Sequence, residues 1–174
     1  MFSFLNNQHE LKAKQLIRSV HPEAYIYTSS EVVNVIREYE RFSSTAMNAY
    51  IGPEVASYLE SLKLRLKSNG IGCQVRIMQS NGGISTIENS SDRPIGLLLS
   101  GPAGGVIGAK ATGEANKISN IITIDIGGTS ADISFIEEGD LRIKNPRDTE
   151  VAVLPVLVPM LDIDAIGAGG GSIG

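Results

Sequence analysis

Asp125 and Asp132 stand on either side of the quartet Gly127, Gly128, Thr129 and Ser130, and residues 121–136 read IITIDIGGTSADISFI. A β-branched run, Ile121, Ile122, Thr123 and Ile124, enters the glycine turn and a second run, Ile133, Ser134, Phe135 and Ile136, leaves it, as hairpin patterning requires. Adjacent glycines let the backbone come close to a ligand and turn its N–H groups toward an anion, and the Thr129 and Ser130 hydroxyls add donors. Carboxylates beside such a turn would repel phosphate unless Mg2+ stood between them. The residues fit a phosphate-binding hairpin with Asp125 and Asp132 positioning Mg2+. An ordinary hairpin whose turn is glycine-rich for geometry fits the same letters.

Composition bounds what can hold this hairpin. At 174 residues the chain can build one good core, or one domain and part of another, but not a two-lobed nucleotide enzyme. A hydrophobic content of 42% with 20% charged residues is that of a soluble globular protein. The net charge of -4 gives no case for nucleic-acid binding, which demands a basic stripe. Cys73 is the single cysteine, so neither a disulfide nor a thiolate zinc cluster can form within one chain; His9 and His21 are too few for a His-based metal site. The first twenty residues lack the basic-then-apolar order of a signal peptide, and no apolar run approaches the roughly 20 residues of a membrane span. A cytoplasmic protein is the expectation.

The glycines, 19 in all, cluster where ligand loops belong. Spacing predicts a loose helix over residues 2–20, a short strand at 24–27, a helix over 32–50 with Val32, Val35, Ile36, Tyr39, Phe42 and Ala46 inward, and, after a break at Gly52-Pro53, another over 54–67. Arg37, Glu38, Glu40 and Arg41 are expected to form solvated pairs. A strand at 75–78 then runs into Gln79-Ser80-Asn81-Gly82-Gly83, where Ser80 and Asn81 are either ligand contacts at a strand end or parts of a plain turn. Residues 95–99 read as a strand, and Ser100 to Gly105 as a glycine loop before a small-residue helix at 106–115. In that loop Gly104 and Gly105 serve an anion or close helix-on-sheet packing equally well. Strands are expected at 141–144 and 161–166, and at 151–158 an edge strand or extended loop, broken by Pro155 and Pro159. The final run carries Gly167, Gly169, Gly170, Gly171, Ser172 and Gly174; its nominal GxGxxG is rejected as a dinucleotide site because no helix can follow.

Taken together, REYERFSST (37–45), NAYIGP (48–53), MQSNGG (78–83), LLSGPAGGVIGA (98–109), DIGGTSAD (125–132) and IGAGGGSI (166–173) resemble one family, the hydantoinase A and 5-oxoprolinase group, related to the ATP-dependent acetone and acetophenone carboxylases. Six stretches in family order carry far more weight than any one glycine motif. Ile126 stands where the family often has Met, and Ala131 where Thr is common, which removes one hydroxyl beside the loop.

The resemblance implies an α/β fold of the actin-like ATPase (ribonuclease H-like) class, with a mixed sheet and flanking helices, incomplete here. Residues 1–30 would be the end of an N-terminal lobe or a linker, and 31–174 a partial hydantoinase A domain with the second phosphate hairpin. It also implies ATP and Mg2+ as cofactors, a cyclic amide as substrate, and as partners the remainder of the subunit and a B-type subunit or domain. Asp125 and Asp132 would be catalytic and hold Mg2+; Gly127, Gly128, Thr129, Ser130, Ser80, Asn81, Gly104, Gly105, Gly169 and Gly170 would bind the cofactor. The implied reaction is ATP-driven opening of a hydantoin or 5-oxoproline type ring through carbonyl phosphorylation, with an isolated fragment inactive. A ketone carboxylase subunit and a non-catalytic nucleotide-binding domain are the competing readings, and a sugar or acid kinase is disfavoured by the MQSNGG and SGPAGG stretches.

Overall fold

The computed structural model describes residues 2–151 and 153–172. Ile173 and Gly174, at the end of the last glycine motif, lie outside the described residues. In chain order the elements are α1 (Gln8–Val20), α2 (Ser29–Val32), α3 (Glu38–Ser68), β1 (Arg76–Met78), β2 (Ile84–Thr86), α4 (Ile87–Asp92), α5 (Ser100–Asn116), β3 (Ile121–Ile126), β4 (Ala131–Glu137), β5 (Asp140–Leu141), β6 (Ile143–Lys144), β7 (Glu150–Val151), β8 (Leu154–Pro155), β9 (Met160–Leu161) and β10 (Ile163–Ile166). They divide into two units: Met1–Ile77 with Ser85–Gly96 and Pro146–Val158, and Met78–Ile84 with Leu97–Asn145 and Pro159–Gly174. No helix among the described residues is long and apolar enough to cross a membrane.

The first unit is organised by α3, and two sequence expectations fail there. The helix runs unbroken for 31 residues through Gly52 and Pro53. Gly52 admits the Tyr27 ring: a Cβ at Gly52 would lie 2.8 Å from Tyr27 Cζ. Residues 24–27 form no strand. The helix also starts at Glu38 rather than at residue 32, and its buried stripe is polar, with Arg41, Ser44, Asn48 and Gly52 ahead of Leu59. Tyr39 and Phe42, expected inward, are 68% and 73% exposed.

Backbone amides at residues 95 and 157 that lack a ladder partner meet this stripe, and such amides need acceptors. Asn48 Oδ1 accepts from the Ile95 N–H at 3.1 Å, and Ser44 Oγ accepts from the Leu157 N–H at 2.9 Å while donating to Glu40 O at 2.7 Å. Arg41, expected in solvent, is buried; it donates to Val35 O at 3.0 Å and to Ser3 Oγ at 3.1 Å, with its guanidinium 5.6 Å from the Phe4 ring centroid. Arg37 does pair with Glu40, at 2.7 Å. Glu10 on α1 accepts from the Ser29 hydroxyl at 2.5 Å and the Ser30 N–H at 2.9 Å, tying α1 to the start of α2. Burial pushes the Glu10 carboxyl up, but these bonds with the Ser29, Ser30 and Ser3 groups outweigh it and hold the pKa at about 2.

The second unit is one helix on one sheet. The sheet runs β10-β4-β3 with β5 also on β4, and each of these pairs is antiparallel, so the expected mixed sheet is not what these strands form. Ala103 and Val106 of α5 pack with Ile136, Leu161 and Ile163, and Ile107, Ala109, Ile121 and Leu141 close round them. Gly113 lets the last turn of α5 reach the sheet, because a Cβ there would lie 2.7 Å from Ile118 O and would also run into Ile121 Cδ1. The chain then leaves α5 through Lys117 at φ 59, with the Ile118 N–H bonded to Gly113 O at 2.9 Å. That bond satisfies a terminal carbonyl and turns the backbone into β3.

Replacing Asn48 by Ala should leave the Ile95 amide buried without an acceptor and cost about 1–3 kcal/mol. Urea unfolding of the chain measures it; an unchanged midpoint would show that the Asn48 bond contributes nothing.

Candidate active site

The ladder between β3 and β4 runs from Ile121 opposite Ile136 to Ile126 opposite Ala131, leaving 127–130 as the turn. The Gly127 N–H bonded to Ser130 O at 2.9 Å closes it. In this register Asp125 stands directly opposite Asp132, and Asp132 opposite Ala165 of β10. Side chains directly opposite on one sheet face have Cβ atoms about 4.5–5.5 Å apart, and like charges in that position repel. Alternation places both aspartates on the face that carries Ile121, Ile136 and Ile163, toward the turn end of the sheet. Asp125 is exposed and Asp132 half-buried.

Beyond β10 the chain turns back alongside the hairpin. Gly170 N–H donates to Gly127 O at 2.9 Å and Gly171 N–H to Gly128 O at 3.3 Å. Ser172 braces this loop, its hydroxyl accepting from the Gly169 N–H at 3.1 Å and its own N–H donating to Gly169 O at 2.9 Å. Backbone lies on backbone here: a Cβ on Gly169 would fall 2.6 Å from Gly128 C, Gly128 O and Thr129 C. Among the described residues, no hydrogen bond reaches the N–H groups of Gly128, Thr129 or Ser130. A Cβ on Gly128 would meet nothing within 4 Å and its φ is not positive, so the fold itself does not require glycine there.

Two opposed carboxylates beside free amides suit one ion in particular. No group of three or more His, Cys, Asp and Glu among the described residues could form a metal cage. Mg2+ is commonly held by one or two carboxylates with phosphate oxygens and waters completing its shell, which is the donor set this hairpin offers.

The other sequence-predicted residues sit differently. Ser80 is buried, its hydroxyl donating to Leu98 O and its carbonyl accepting from the Leu161 N–H at 2.8 Å. Asn81 Oδ1 accepts from the Gly83 N–H at 2.9 Å, and the Gln79 N–H donates to Gly83 O at 2.8 Å to close the turn. Residues 94–97 form a 3-10 helix instead of a strand, and α5 already starts at Ser100, so Gly104 and Gly105 lie inside the helix rather than in a loop before it. A Cβ on Gly104 would come 3.8 Å from Met78 Cγ, ordinary packing distance. Gly169 and Gly170 do meet the hairpin, but their amides are spent on Ser172 Oγ and Gly127 O. At the opposite end of the β3–β4 ladder, a cavity of about 430 Å³ is lined by Asn120, Glu137, Glu138, Asp140, Leu141 and Arg142, three carboxylates to one guanidinium, a net negative wall unsuited to phosphate.

A family model described as hydantoinase/oxoprolinase matches residues 41–174. The chain belongs to that family. Within it, the chain is 34% identical to the caprolactamase subunit alpha of Pseudomonas jessenii, over 99% of its own length and 25% of that protein's. It is 36% identical to the 5-oxoprolinase of Saccharomyces cerevisiae over 86% of its length and 11% of that protein's. Its fold superposes on a nucleotide-free structure of an acetone carboxylase, from work on ATP-dependent acetone carboxylation, with a TM-score of 0.82 and 29% identity, covering 96% of this chain and 24% of that one. The chain thus spans a quarter or less of the length of these hydantoinase/oxoprolinase relatives. Its α/β fold is that of the actin-like ATPase class, as the motifs implied.

Because the opposed aspartates repel, Asp125→Asn should stabilise the chain in magnesium-free buffer, by about 0.2–1 kcal/mol at low salt and less at high salt. Paired urea titrations at two ionic strengths measure this; a lower midpoint for the variant would mean that the pair is not strained.

Proposed function

We propose that this chain is the part of an ATP-dependent enzyme that carries one phosphate-binding hairpin, and that the whole enzyme opens a cyclic amide. The observation that supports it is the opposition of Asp125 and Asp132 beside three amides, of Gly128, Thr129 and Ser130, without partners among the described residues. In protein alone the like-charge pair is unfavourable, while the exposed Gly128 and Thr129 amides are open to solvent. A divalent cation relieves the first and a phosphate can take up the second.

In this reading the Gly128, Thr129 and Ser130 amides, with the Thr129 and Ser130 hydroxyls, grip phosphate oxygens, while Asp125 and Asp132 hold Mg2+ through its waters. When bound, Mg-ATP would supply the phosphoryl group that activates the amide carbonyl, so that hydrolysis of a stable ring becomes feasible. Ser80, Asn81, Gly104 and Gly105 keep packing and turn roles. The relatives with the higher identities, the caprolactamase subunit and the 5-oxoprolinase, both bear names of cyclic-amide hydrolases, which favours that substrate class over a ketone. Partners follow from length and naming: the remainder of the subunit supplies the rest of the cleft, and a second subunit or domain completes the enzyme, as the "subunit alpha" of the caprolactamase suggests.

In the full-length enzyme, Asp125→Ala should lower ATP turnover by at least about 100-fold, with the fold unchanged by circular dichroism. Turnover at the wild-type level would sink the assignment. ATP use that depends on bicarbonate would move the reading from amide opening to carboxylation.

A further inference from the structure

The hairpin has the groups to hold a phosphate, but a four-residue exposed turn has no reason of its own to keep its amides aimed. The 167–172 loop supplies one. In a trans peptide the C=O of one residue and the N–H of the next point in opposite directions. Gly127 O and Gly128 O are both fixed toward this loop by the Gly170 and Gly171 amides. The N–H groups in those same two peptide planes belong to Gly128 and Thr129, and they are therefore held pointing away from the loop.

We propose that the 167–172 loop is the clamp that orients the Gly128 and Thr129 amides for the phosphate, with Gly169 and Ser172 as positioning residues rather than ligand contacts. This rests on the phosphate reading of the hairpin. Gly169 is required because two backbones meet there without room for a Cβ, 2.6 Å from Gly128 C and O. Ser172 closes the loop on itself from both its hydroxyl and its amide, which keeps the Gly170 and Gly171 N–H groups facing the turn. Register brings the two loops together: Ile126, Ala131 and Ile166 are consecutive neighbours across β3, β4 and β10, so the turn and the loop leave adjacent strand ends. Free rotation of either peptide plane would present a carbonyl oxygen to the phosphate in place of an N–H, exchanging attraction for repulsion.

The test uses the full-length subunit and Mg-ATP. Gly169→Ala should lower kcat/KM for ATP on the order of 100-fold while KM for the cyclic amide stays near wild type. Should that variant fail to fold, Ser172→Ala should show the same selective loss in milder form, and Ser172→Thr, which keeps the hydroxyl, should restore it. A merely structural role would lower the melting temperature and raise both KM values together, and that outcome overturns the proposal. Wild-type kcat/KM for ATP in folded Gly169→Ala or Ser172→Ala overturns it too. Asp125→Ala separates the two levels: if it abolishes ATP turnover while the Gly169 and Ser172 variants are normal, the clamp fails and the hairpin reading stands. If Asp125→Ala itself is fully active, the hairpin reading has failed.

Discussion

The antiparallel register of β3 on β4 is the constraint from which the rest of the candidate site follows. One residue of slip would send Asp125 and Asp132 to opposite faces and move the turn out of line with the end of β10. The register is held by burial, since Ile136 and Ser134 of β4 and Ile163 of β10 lie inward against the α5 side of the sheet. Ser134 also donates its hydroxyl to Asp162 O at 2.8 Å, fixing the approach of the chain into β10. Hydrophobic packing at one end of the hairpin thus sets the electrostatics at the other. Binding energy from a phosphate and its cation would be returned against a repulsion that folding had already imposed.

The opposite face of the same sheet shows the cost of this arrangement. Ile122, Ile124 and Ile126 of β3 all project away from α5, each at least 60% exposed. Strands with apolar residues on both faces are those of sheets covered on both sides. In the first unit the economy is reversed: α3 buries Arg41, Ser44 and Asn48 and leaves Tyr39 and Phe42 outside. There the helix accepts from backbone amides, those of Ile95 and Leu157, that have no ladder partner.

How far the sequence disclosed this depended on whether local pattern or distant contact decided each element. The hairpin at 121–136 was legible, because β-branched alternation and glycine turns act locally; the body of the small-residue helix was legible but not its start at Ser100. The break expected at Gly52-Pro53 was not real, since the glycine is there for Tyr27, twenty-five residues away, and no local rule reports that. The inward face of α3 was missed for a related reason: periodicity ranks apolar side chains inward, whereas Asn48 and Ser44 are buried by the needs of Ile95 and Leu157. Asp125 and Asp132 were legible as a pair flanking a turn, but their direct opposition needed the register. The bonds of Gly170 and Gly171 to the turn carbonyls needed β10 to be placed beside β4, which no spacing in the chain announces.

The central claim is that the turn at 127–130 is an anion site whose amides already face the ligand. The most direct measurement is an experimental structure of the full-length subunit with Mg-ADP bound. Phosphate oxygens about 3 Å from the Gly128 and Thr129 amide nitrogens, with the Gly170 and Gly171 bonds retained, are the predicted result. Nucleotide bound with its phosphates elsewhere, and those two amides turned to solvent or to other protein groups, would contradict it.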